Sequence, residues 1–351
     1  MAVNPLILDD VPINNEILQK AEKNIKNDIP SSYIPIKLAS NGRIKDVPNI
    51  LHFRCFSASD ALDLTNASQD VDKYKIVADI LTRMCWEKFD CQKLGLQDLT
   101  LIIFTLQANF IGGEIEQEIY LNEDLEEGNE EGKLDHPSNK EIVSIPLSSI
   151  NVRFLGKDEN DNDISNFKSP FVIRDENDNA FRVKTPIVQD SILAEEYCKE
   201  LYKDDYIKFT PIRKKIKQLQ RIKDVKERQD ELDTYLFEHE EECKDYFKFM
   251  NDFASKTAKI VQALQLIEFN GKPLNSLEDK LRCYVENTPL DVWYTYNKVL
   301  EENPFGLSND IEVYSNKLGK KVMRGFQFTI DDFILQFNQP KTTRQCSVSF
   351  D

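Results

Sequence analysis

Three histidines and seven cysteines are the residues of this 351-residue chain best suited to nucleophilic or metal chemistry. A cysteine beside a histidine can be activated as a thiolate, and closely spaced Cys and His ligands hold zinc. His52, His136 and His239 stand far apart, with no two at ligand spacing. Cys55, Cys85, Cys91, Cys198, Cys243, Cys283 and Cys346 are scattered and never form C-x-x-C. Residues distant in sequence can still meet in a fold, so a Cys–His pair stays open. G-x-S-x-G, H-E-x-x-H and G-x-x-x-x-G-K-[ST] are all absent, so no catalytic residue, metal ligand or cofactor-binding residue is assigned. Odd, scattered cysteines read as reduced thiols, which implies synthesis in a cytoplasm.

Asp158-Glu159-Asn160-Asp161-Asn162 recurs as Asp175-Glu176-Asn177-Asp178-Asn179 and invites a calcium reading. An EF-hand loop starting at Asp158 needs Gly at its sixth position and Glu at its twelfth; Asp163 and Ser169 stand there instead. Asn and Asp also favour left-handed turn positions, so both copies are expected to be turns.

With 45 basic and 61 acidic residues the net charge is −16, which argues against nucleic-acid or anionic-membrane binding. Residues 211–228 run the other way: eight bases stand against Asp224 and Glu227. A helix with an apolar stripe needs a polar back, which is the plain reading of this run. Its alternative is a docking face for an acidic partner, another copy's acidic loop included.

The elements around these residues read as follows. Residues 1–50 are an extended, proline-punctuated arm with one helical piece near Asn14 to Lys26, then a short strand from Ile34 and an Asn41-Gly42 turn. Leu6 to Leu8 is too short an apolar run for a secretory signal, and Leu99 to Ile111 is too short for a membrane span. A helical domain at 51–121 opens with a strand at Ile50 to Phe56 and a helix capped by Ser57 or Ser59. It continues with helices at Val71 to Trp86 and Gln97 to Phe110. Residues 114–135 carry ten acidic residues against one lysine, so an acidic flexible loop is expected, set at 122–140. A β insert follows at 141–190, with a hairpin turning at Asp175 to Asn179. A long helical hairpin or arm at 191–271 starts a helix at Thr210-Pro211, breaks near Glu238 to Glu242 and ends at Asn270-Gly271. A small C-terminal α+β module at 272–337 has helices at Leu277 to Val285 and Leu290 to Glu302. It also has strands at Ile311 to Tyr314 and Gly325 to Phe328, with a tail at 338–351. The fold class is thus α+β, predominantly helical.

From Ile34 to Leu121 the layout resembles a known family. Ile34-Pro35-Ile36-Lys37-Leu38 runs into Ala39-Ser40-Asn41-Gly42; Leu51-His52-Phe53-Arg54-Cys55-Phe56 leads into the helix from Ser57. Ile80 to Trp86, Asp90 to Leu94 and Leu96 to Phe104 follow. Further on come Phe181-Arg182-Val183-Lys184-Thr185-Pro186, Val292-Trp293-Tyr294 and Asn303-Pro304-Phe305-Gly306. This order is similar to the baseplate hub subunit family of contractile-tailed (T-even-like) bacteriophages. In some of its members the C-terminal module resembles a zinc ribbon. Ile311 to Lys321 keeps the strand–turn–strand outline without cysteines, so no zinc is expected here.

The resemblance implies a virion structural protein at the hub or inner baseplate of a contractile phage tail, made in the host cytoplasm and without enzymatic activity. Its expected partners are other baseplate or tail proteins and further copies of itself, with no nucleic acid, membrane, cofactor or small-molecule substrate. An assembly chaperone absent from the mature virion is the alternative. Aromatic and apolar anchors dominate such interfaces, which makes Leu6, Ile7, Tyr33, Phe53, Phe56, Trp86, Trp293 and Phe305 the candidate interface residues.

Overall fold

The structure, a computed structural model, describes residues 29–67, 73–110, 114–120, 140–146, 149–158, 162–219, 222, 225–308 and 310–325. The expected helical piece near Asn14 to Lys26, the body of the acidic segment and the tail lie outside the described residues.

The chain enters through β1 (Tyr33–Lys37), which pairs antiparallel with β2 (Ile50–Arg54), Ile36 opposite Leu51. Between them Asn41 and Gly42 take positive φ of 52° and 67°, the left-handed geometry that an Asn-Gly turn needs. Ser57 caps α1 (Ala58–Ala67): its hydroxyl accepts the Asp60 N–H at 3.2 Å, and the Asp60 carboxylate accepts the Ser57 N–H at 2.8 Å. Burial pushes the Asp60 carboxyl up, but the bonds from Arg54 and Ser57 outweigh it and hold the group below the usual range. α2 (Lys73–Met84) and α3 (Leu96–Phe110) bury Ile80, Leu81, Met84, Leu99 and Ile102 in the first core.

That core draws on more of the chain than the helical domain. Ile36, Leu38, Ile44 and Val47 are buried in it, so residues 33–47 are not part of a free arm. β3 (Glu114–Tyr120) pairs along its full length with β4 (Lys140–Pro146), which corrects the loop reading for 114–120 and for Lys140. Val143 and Ile145 of β4, and Ile311, Val313 and Val322 of the C-terminal hairpin, complete the core.

β5 (Val152–Arg153) leads to β6 (Phe171–Arg174) and β7 (Ala180–Val183), which form the expected hairpin. α4 (Val188–Leu201) then bridges two cores, burying Val188 and Ile192 in the first and Ala194 and Cys198 in the second. The second core is the helical arm: α5 (Lys203–Lys208), α6 (Thr210–Leu219), α7 (Val225–Glu238) and α8 (Glu240–Gln265). Tyr202 meets Phe253 at 6.3 Å and Phe209 meets Tyr246 at 6.0 Å, so the α4–α6 line runs antiparallel to α8. The break between α7 and α8 falls at His239, as the sequence suggests. Thr210 is not a cap: its hydroxyl donates to the Tyr206 carbonyl at 2.7 Å, and α6 follows α5 almost without interruption.

Asn270-Gly271 does not end the helix. α8 stops at Gln265, and the pair forms the tight turn between β8 (Leu266–Phe269) and β9 (Lys272–Pro273), with φ of 48° and 78°. These strands extend the hairpin into an antiparallel sheet, β6-β7-β8-β9. α9 (Leu277–Glu286) and α10 (Leu290–Glu302) cover it, burying Cys283, Val292, Trp293 and Tyr296 against Ile173, Phe181 and Val183. β10 (Gly306–Leu307) returns to pair with β5, and β11 (Asp310–Ser315) pairs with β12 (Lys320–Gly325). The second strand of that hairpin therefore begins five residues earlier than Gly325, because Gly319 at φ 63° turns the chain tightly. The helices of the C-terminal segment belong to the third core and its hairpin to the first. The fold is mixed α+β and mostly helical.

Candidate interaction surfaces

The fold brings one histidine and one cysteine to the same carboxylate. β2 carries His52, and the chain after α2 doubles back beside it, the Trp86 N–H donating to the His52 carbonyl at 2.9 Å. Glu87 then accepts the His52 N–H at 3.0 Å, lies 2.6 Å from the His52 Nδ1, and accepts the Cys85 thiol at 3.3 Å. Burial pushes the Glu87 carboxyl up, but the His52 bonds outweigh it and hold it below its ordinary value. Cys85 is buried and its thiol is pushed up to about 11, mainly by burial. A nucleophilic thiol needs the opposite: a lowered value, access and a base of its own. Here the imidazole is tied to Glu87, so the trio acts as a clasp between β2 and the end of α2. His239 sits against the Tyr235 ring at 4.7 Å and 3.7 Å from Glu242, and His136 lies outside the described residues. Among the described residues no group of three or more His, Cys, Asp or Glu is arranged to hold a metal ion.

The two Asp-Glu-Asn-Asp-Asn copies close in the same way. Asp158 accepts the Asn162 N–H at 2.8 Å and its Nδ2 at 3.1 Å; Asp175 accepts the Asn179 N–H and Nδ2, both at 2.8 Å. In each, the Asp N–H donates to the Asn carbonyl four residues on. The first carboxylate of each copy is thus spent on its own turn, with Asp178 at φ 62°.

The candidate interface residues separate by burial. Phe53, at 0% exposure, and Trp293, at 7%, are core residues, which removes both from the interface set. Their alternating strand and helical positions face inward, which aromatic type alone does not reveal. Phe56 and Phe305 are half-buried against the first core. Tyr33, half-buried, and Trp86, exposed, form an edge-to-face pair with centroids 5.3 Å apart. Leu6 and Ile7 lie outside the described residues.

The more exposed apolar groups are others. Phe237 on α7 is 83% exposed, and Val285, Leu290 and Tyr294 at the α9–α10 corner are each 74% exposed or more. Leu290 and Tyr294 lie one turn apart, so they share a face of α10. On α6 the stripe Ile212, Ile216 and Leu219 is buried, the first two in the second core, while Lys214 and Lys215 are exposed. Arg213 stacks on the Tyr206 ring at 4.4 Å. Periodicity gave the inward stripe; the outward Phe237 is hidden in sequence by the adjacent Leu236, which packs inward.

Among the described residues no helix is long and apolar enough to cross a membrane. Compared with protein-family models, curated proteins and solved structures, the chain matches none.

Proposed function

We propose that this chain is a structural component of a contractile phage tail baseplate, at the hub or inner baseplate, and that it works by protein–protein assembly rather than catalysis. The family and its place in the tail rest on the resemblance described above. The observation that carries an assembly role is the set of large apolar side chains left exposed on rigid helices: Phe237, Val285, Leu290 and Tyr294. Exposed apolar groups that cluster, as Leu290 and Tyr294 do on one face of α10, mark contact surfaces. The meeting of His52 and Cys85 at Glu87 favours a clasp over a reaction. In this reading the protein resides in the virion and its partners are neighbouring tail proteins and further copies of itself.

Mass spectrometry of purified tail particles tests the reading. Stoichiometric presence with a density at the tail tip supports it. Presence in infected cells but absence from particles would replace it with the assembly-chaperone reading. Absence from both would sink it.

A further inference from the structure

We propose that α6 and α7 form a self-complementary surface on which a second copy of this chain docks, α6 of each copy meeting α7 of the other. The surface stands independently of the assembly the chain joins. α6 carries four cations, Arg213, Lys214, Lys215 and Lys217, and no acid; α7 carries two bases against five acids. These two helices are consecutive, pack on the same core and bear opposite charge, in a molecule that is otherwise acidic.

The outward face of α7 is regular. Leu232, Tyr235 and Leu236 pack against the second core, and none of the described side chains of α7 is fully buried. Asp230, Asp233, Thr234 and Phe237 fall at i, i+3, i+4 and i+7, so they form one stripe on the opposite side, and all four are exposed. Phe237, 83% exposed, lies on this stripe one turn after Asp233. An exposed aromatic ringed by charge is the composition of an interface anchor with a polar rim.

The occupant follows from the charges. A basic partner would need only α7, and an acidic partner only α6. A two-fold pair of copies needs both at once, because each patch on one copy must be the complement of a different patch on the same molecule. Placing α6 of one copy over α7 of the other satisfies both contacts with one operation. It also covers Phe237 twice. The area of two short helices is modest, so the dimer is expected in the micromolar range.

Sedimentation of the full chain over a concentration series tests this. The wild type should dimerise, about tenfold or more weaker when salt rises from about 0.05 to about 0.5 M. Phe237→Ser should weaken the dimer by about tenfold or more. Lys214→Glu/Lys215→Glu should be monomeric, and so should Asp230→Lys/Asp233→Lys. All of these positions are exposed, so the variants should keep the wild-type circular dichroism. Mixed one to one, the two charge variants should form a heterodimer, since the substituted acids on α6 of one copy then face the substituted bases on α7 of the other, while the remaining α6–α7 contact keeps its wild-type charges. A wild type that stays monomeric, a dimer indifferent to these substitutions, or charge variants that fail to recombine would each overturn the proposal.

Discussion

The Glu141 carboxylate, at the start of β4, accepts the Ser315 hydroxyl at 2.5 Å and the Asn316 N–H at 2.8 Å. This ties the turn of the C-terminal hairpin to a strand 174 residues earlier, and Ser315 is fully buried. Burial pushes the Glu141 carboxyl up, but the Ser315 and backbone bonds outweigh it and hold it below the usual value of 4.5. A folded value below the unfolded one adds stability that is present above 4.5 and is lost as pH falls through the folded value. Glu141→Ala should therefore cost about 1–3 kcal/mol at neutral pH, mostly by orphaning buried donors. Urea unfolding checks it: the gap to wild type should shrink in acid. An equal gap at every pH would rule out the charge as its source.

Asp98 works in the opposite sense. It is fully buried on α3, with one carboxylate oxygen accepting the Ser40 N–H at 2.8 Å and the other without a partner. Burial dominates and pushes it from 3.8 up to about 6. A raised acid favours the fold in its neutral form, so stability from this group is greatest below 3.8 and falls as pH rises towards 6. Asp98→Asn keeps the Ser40 acceptor and abolishes the charge. It should stabilise by about 1–3 kcal/mol at neutral pH, with the gain vanishing by about pH 4. Thermal unfolding of both proteins across this range provides the measurement.

Thiol labelling followed by peptide mapping separates reactive from structural cysteines. Cys55 is exposed, whereas Cys85, Cys91, Cys198, Cys243 and Cys283 are buried. Among the six described cysteines Cys55 should react first, and the five buried thiols only on unfolding. Rapid native labelling of Cys85 would contradict the clasp at Glu87 and reopen a nucleophilic role.

Burial also separates core from contact among the aromatic candidates. Phe53→Ala should cost about 3–5 kcal/mol, since it empties a fully buried site on β2. Trp86→Ser, at a side chain 36% exposed, should leave the chain folded while weakening a partner contact made there. Unfolding curves of the two variants, read beside co-purification with tail particles, distinguish the roles. Trp86→Ser that unfolds the chain would place Trp86 in the core instead.

Much of this fold is legible from local signals. The Ser57 cap, the Asn41-Gly42 turn, the break at His239 and the stripe of α6 each follow from a few residues and one period. β3 was hidden because charge outweighed alternation: Glu114, Glu116 and Glu118 read as solvated loop, yet the segment pairs with β4 residue for residue. Asn270-Gly271 suits a helix end and a hairpin equally well, and only the pairing of β8 with β7 decides between them. The interface set was the least legible part. Aromatic type marks Phe53 and Trp293 as strongly as Trp86, whereas burial depends on contacts distant in sequence.

The first core closes between Ile36 and Val322. Translation proceeds at about 5–20 residues per second, so roughly 15–60 s separates the emergence of these two ends from the ribosome. During that interval the apolar faces of α2 and α3 have been made, while the hairpin that completes their cover has not. The nascent chain must then keep those faces from other chains until its last strands arrive, so the yield of native protein will depend on holdase capacity and growth temperature more than on final stability.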